Sequence, residues 1–121
     1  MLIALWIVNV LAALLMLMAG SMKAIRSKDA LRPQMAWVDD FSAGFVRFIG
    51  IVEVVGALGL VLPLATGIAP ILTPIAATGL AIVMFGAVVV HIRRKEPFLP
   101  ALVIALLVTA SAVLGYLVVL G

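Results

Sequence analysis

Only a handful of residues in this chain could do chemistry, and the first of them is an acid in an improbable place. Glu53 stands inside a long apolar run, Gly44–Leu62, nine positions from its start. At 1.5 Å per residue a helix would put it about 13 Å below the end of that run. A charged carboxylate at such depth in hydrocarbon costs several kcal/mol unless it is paired, wetted or protonated. Three uses fit such a group. It can hold a lipophilic ligand by a polar contact, it can exchange a proton with a lipophilic substrate, or it can glue helices together as a paired or protonated residue. Gly50, Gly56 and Ala57 lie one turn away, which leaves room for a second helix or a ligand beside it.

The groups able to join Glu53 are few. Asn9 belongs to a stripe with Ala12, Ala13, Met16, Gly20 and Lys23, spaced as one face of a helix, which should point inward. Asn9 then either makes an interhelical hydrogen bond or lines a cavity. Lys23 and Arg47 can snorkel to headgroups or turn inward toward Glu53. Arg47 precedes Glu53 by six residues, about 120° around a helix, so an i, i+4 pair is excluded and the partner must come from another helix. His91 ends an apolar run and can be an anchor or a base. Asp39 and Asp40 read as solvated caps, and Asp39, Asp40 or Ser42 could cap the following helix. Trp37 and Phe41 suggest a loop resting on the membrane surface, with Trp6 and Tyr116 in an aromatic belt at the far side. Gly79 and Gly86 mark a close-packing face. Thr109 and Ser111 can bond to their own helix backbone. There is no cysteine, so thiolate metal sites and thiol redox chemistry are excluded.

The elements that must carry these residues are transmembrane. Of 121 residues, 67% are hydrophobic and 11% charged, too little polar surface for a soluble domain. Four apolar runs, about 2–22, 44–62, 70–90 and 99–120, each approach the ~20 residues that cross a bilayer as a helix. The expected fold is an all-α four-transmembrane-helix bundle forming one domain over residues 1–121. Pro33 breaks the first connection. Pro63 and Gly67 mark a tight turn over Pro63–Ala69, and Pro97 and Pro100 punctuate entry to the last helix. No basic segment precedes the first run, so it reads as a retained helix rather than a cleaved signal peptide. All eight Lys and Arg residues fall in or beside the first and third connections. By the positive-inside rule, both termini face out of the cytoplasm. The net charge of +3 is too sparse and local for nucleic acid.

The step Gly20-Ser21-Met22-Lys23 resembles the G-x-x-K element of the DoxX-like membrane proteins. So does Arg47-Phe48-Ile49-Gly50-Ile51-Val52-Glu53, and the likeness continues through Pro63 and Gly67 to His91-Ile92-Arg93-Arg94. It covers nearly the whole chain. The resemblance implies a four-helix bundle in the cell membrane, associated with membrane redox systems, since relatives include small subunits of quinone-linked oxidoreductases. With no cofactor of its own, an electron-transfer role would need a protein partner or a bound quinone.

Together these readings predict a cavity in the cytoplasmic half, lined by Glu53, Asn9, Lys23, Arg47 and His91. It would bind a lipophilic small molecule, with a quinone as the candidate, in service of a membrane redox partner. The alternative is a cofactor-free isomerase, cyclase or epoxide hydrolase with Glu53, and more weakly His91, as acid and base. The discriminator is whether a second acid or base shares one cavity with Glu53. A transporter suits a single acid without broken helices less well. Expected partners are membrane lipids, the ligand, and a redox protein or a second copy of the chain. The topology is checked with single cysteines at Thr66 and Lys28 and an impermeant thiol reagent on intact cells. Labelling is expected at Thr66, and labelling at Lys28 alone would overturn the orientation.

Overall fold

The computed structural model describes residues 1–121 and is entirely helical. Its elements are α1 (Leu2–Ile25), a short α2 (Lys28–Leu31), a 3-10 turn (Ala36–Asp40), α3 (Ala43–Thr66), α4 (Leu72–Arg93) and α5 (Leu99–Leu120). The four long helices are each long and apolar enough to cross a membrane. The helices run up and down in a ring. α1 packs most extensively on α3, α4 on α5, and the ring closes through α3 on α4 and α1 on α5.

Each helix buries one narrow stripe at alternating three- and four-residue spacing. In α1 it is Leu5, Asn9, Ala12, Met16 and Gly20; in α3 it is Val46, Gly50, Glu53, Ala57 and Leu60. The outward faces carry large apolar side chains such as Ile3, Val55, Ile82 and Leu120, as expected where lipid replaces water. Small residues such as Ala12, Gly20, Gly50 and Ala57 recur in the stripes because packing, not hydrophobic contrast, holds helices together in lipid.

The helix ends differ from expectation in instructive ways. Ser42 caps α3, its hydroxyl accepting from the Phe45 amide at 3.1 Å. Pro63 does not begin the turn but lies inside α3, which continues to Thr66. Near a helix end the missing proline N–H costs one bond only. The last turn is closed by Thr66 Oγ1 donating to the Leu62 carbonyl at 2.7 Å. Gly67, at φ +73°, supplies the left-handed cap and donates to the Pro63 carbonyl. α1 and α4 extend past their apolar runs, so Lys23 and His91 sit within helices rather than beyond them.

The glycines sort into two kinds. At the α1–α3 crossing a methyl group on Gly50 would fall 2.6 Å from the Gly20 carbonyl oxygen and 2.6 Å from the Ala24 amide nitrogen. At the α3–α4 contact, Gly56 receives Leu80, and Gly59 receives Ala76. Gly79 and Gly86, expected to form a packing face, instead meet open space. Their seven-residue spacing does place them on one side of α4, but no helix lies there. Gly50→Ala should therefore cost about 1–3 kcal/mol by overpacking against rigid backbone. Gly56→Ala should cost less, since Leu80 can rotate. Gly86→Ala should leave the melting temperature in detergent unchanged or raised. A thermal melt that ranks the three otherwise would reject this sorting.

Candidate functional site

The Gly20–Gly50 crossing brings the two charged residues of the core together. Each charge follows its glycine by three positions, Gly20 to Lys23 and Gly50 to Glu53, and α1 and α3 run antiparallel. Each glycine therefore faces the stem of the other helix's charged residue. A methyl on Gly20 would fall 2.9 Å from Glu53 Cβ, and one on Gly50 would fall 2.7 Å from Lys23 Cβ. The close approach lets Lys23 Nζ donate to Glu53 Oε1 at 2.5 Å. The side chains are only 11% and 1% exposed. The Lys23 ammonium also lies 5.5 Å from the Trp37 ring centroid, a cation–π distance. The partner of Glu53 thus comes from another helix, as the spacing required. Glu53 Oε2 is buried and has no hydrogen-bond partner.

A cavity of about 570 Å³ lies beside this pair at the end of the bundle that carries the basic connections. Its wall is largely apolar. Met16, Phe45, Ile49, Ile82, Met84 and Ile104 contribute from all four long helices, and Lys23, Glu53 and His91 are its ionisable members. α3 and α4 touch closely at Gly56–Leu80 and Gly59–Ala76, and toward the basic end residues of both, Phe45 and Ile49 with Gly86 and Ala87, line the cavity. Phe45 and Ile82, 42% and 71% exposed, stand on the outer side of this gap.

The first connection folds over the end of the cavity. Trp37 meets Phe41 edge-on at 5.8 Å, and Phe41 stacks on Phe45 at 5.1 Å. Leu31, Val38 and Val46 form a small core beneath them. Trp37 and Phe41 therefore pack on Lys23 and Phe45, each staying partly exposed. Asp39 and Asp40 are not caps. Asp39 pairs with Arg32 at 2.7 Å, and Asp40 pairs with Arg94 at 2.7 Å. Arg94 also meets Glu96 at 3.2 Å, and Glu96 meets His91 Nδ1 at 3.2 Å. The carboxylates of Asp40 and then Glu96 push the Arg94 guanidinium further up its already high range. This chain of charges ties the first connection to the third.

Two expected cavity residues are elsewhere. Arg47 is exposed on the outer face of α3 and does not line the cavity. The same 120° offset that separates it from Glu53 turns it outward. Asn9 is fully buried, but toward the opposite half of the bundle. Its amide donates to the Leu60 carbonyl at 2.9 Å, and it accepts from Ser111 Oγ at 2.5 Å. Ser111 bonds across to α1 rather than to its own helix, whereas Thr109 does bond its own backbone at Ala105. Asn9 is thus an interhelical rivet.

A model of the DoxX-like family matches residues 7–114, a span that holds Asn9, Lys23, Glu53, His91 and Ser111. The chain belongs to the DoxX-like family. Neither the curated proteins nor the solved structures yield a match. The Gly20-Ser21-Met22-Lys23 and Gly50-Ile51-Val52-Glu53 steps within that span are the two halves of one helix crossing.

Removing one partner of a buried pair leaves an uncompensated charge, at a cost of about 3–5 kcal/mol. Lys23→Met and Glu53→Leu should each lower stability by about that much. The double variant should recover most of the loss. Additive losses in a double-mutant cycle would show that the two charges do not depend on each other.

Proposed function

We propose that this DoxX-like protein binds a lipophilic small molecule in the cavity between α3 and α4, with its basic end in the cytoplasm of a cell membrane. The observation that carries this reading is the cavity itself. At about 570 Å³ it lies within the range of small-molecule sites, and it has the expected apolar wall with a few convergent polar groups. Its opening borders Phe45, Ile82 and Gly86 on the lipid-facing side, which suits a ligand dissolved in the bilayer. Lys23 offers a donor to a ligand oxygen, and His91 offers a second polar group.

A quinone, the ligand that the family's redox associations suggest, fits in part. Its carbonyl oxygens can accept from Lys23, and when bound it would supply two-electron chemistry to a membrane redox partner. It has no proton to give to the buried Glu53 Oε2, so the donor set is not matched in full. A second reading, acid–base catalysis on a lipophilic substrate, draws support from one feature. Glu53 and His91 border the same cavity, so two proton-exchanging groups face one space.

Gly86 gives a test that separates binding from folding. A side chain there meets open space, so Gly86→Phe should fold as the parent does while filling the opening. Purified parent protein, extracted with organic solvent and examined by mass spectrometry, should yield a lipophile other than bulk phospholipid. The Gly86→Phe variant should have lost most of it. Identical extracts from the two proteins would sink the reading.

A further inference from the structure

We propose that the ligand of this cavity is a membrane-soluble molecule bearing a hydroxyl group, which donates to Glu53 Oε2 and accepts from Lys23. The inference rests on the lipophile-binding reading above and narrows its chemistry.

It starts from a hydrogen-bond account of the ion pair. Glu53 presents two oxygens, and only Oε1 is answered, by Lys23 Nζ. Oε2 is buried without a donor. Buried acceptors are nearly always satisfied, and carboxylates most of all. No protein group fills the need. On α1 the nearest turns offer Gly20, whose amide is spent in the helix, and Lys23, already engaged. Glu53 forms part of the cavity wall, so a donor brought by a ligand would answer it.

Lys23 defines the other half of the site. Its ammonium carries three protons. One serves Glu53 Oε1, and the Trp37 face takes up part of the remaining charge. It remains partly exposed, at the cavity wall. An acceptor from Lys23 and a donor to Glu53 are the two faces of one hydroxyl. A carbonyl or ether oxygen can meet Lys23 but leaves Oε2 orphaned. A site that hydrogen-bonds a substrate hydroxyl rejects the analogue without it far more strongly than apolar pockets discriminate. The surrounding wall, Met16, Ile49, Met84 and Ile104 among others, sets the remainder of the molecule as apolar.

The test compares two ligands that differ only in the hydroxyl proton, 4-octylphenol and its methyl ether, at equal mole fraction in detergent micelles. The chain has two tryptophans, so a Trp6→Phe background makes the fluorescence report on Trp37 at the cavity. The phenol should half-saturate the signal at a concentration about tenfold or more below the ether. Glu53→Gln puts an amide where the carboxylate was and should reduce that ratio toward one. Equal half-saturation by both ligands in the parent would overturn the hydroxyl assignment, leave lipophile binding intact, and indicate that water answers Oε2. Binding of neither would overturn both readings. Undiminished preference for the phenol in Glu53→Gln would remove Glu53 from the site. Should Glu53→Gln fail to fold, the two ligands on the parent decide the matter alone.

Discussion

A charge in hydrocarbon must be paired, and the pairing of Lys23 with Glu53 dictates the geometry of half this bundle. The 2.5 Å contact is made at a crossing where the two backbones come so close that only glycine fits between them. The two glycines and the two charges therefore form one unit. Gly20 makes room for the stem of Glu53, and Gly50 makes room for the stem of Lys23. Enlarging either glycine would force the two backbones apart, and removing either charge would leave the tight crossing around a buried ion. Here a structural requirement and a chemical group coincide. The glue reading and the functional reading of Glu53 are not exclusive, since the pair that joins α1 to α3 also forms part of a cavity wall.

The cavity follows from unequal packing along α3. Its opposite half is fitted against α4 by Leu80 over Gly56 and Ala76 over Gly59. Its basic half has no such fitting. By the same register Phe45 and Ile49 lie across from about His91 and Ala87, and all four line the cavity. The gap would expose the ion pair were it not for the first connection. Trp37 covers Lys23, Phe41 bridges to Phe45, and the Asp40–Arg94 pair fixes the cover to the end of α4. The aromatic residues of this loop, Trp37 and Phe41, form part of the cavity wall.

The fold was legible in the sequence because its signals are periodic and local. Four apolar runs, the inward stripe of α1 and the capping Ser42 need only neighbours along the chain. The need of Glu53 for a partner from another helix was also legible, from a 120° offset that excluded Arg47. What was hidden depends on separations of tens of residues. Nothing near Trp37 in sequence announces that its ring lies over Lys23, and nothing near Ser111 announces Asn9, 102 residues away. Gly86 was misread because glycine on a helix signals closeness only when a second helix stands opposite. α3 runs past Pro63 because a proline one turn from a helix end removes a single backbone bond and need not stop the helix.

The polar bonds also divide the helices into a fixed set and a freer one. Asn9 bonds α1 to α3 through the Leu60 carbonyl and to α5 through Ser111. Lys23, in the last turn of α1, bonds α1 to α3 a second time. In lipid such bonds are hard to exchange for water, so α1, α3 and α5 are held in register by them. Within its span α4 receives no polar bond from α1 or α3. Its hydroxyl contact, Thr78 with Tyr116 at 3.1 Å, lies toward the opposite end, and its ion pair with Asp40 lies at the surface. Between those two points α4 is held to its neighbours by apolar contacts, its His91 bonding only to Glu96 in the connection that follows. That stretch, from Ile82 to His91, is the stretch that lines the cavity. The helix bound least by hydrogen bonds thus borders the space a ligand would fill, and the helices bound most carry the charges that would meet it.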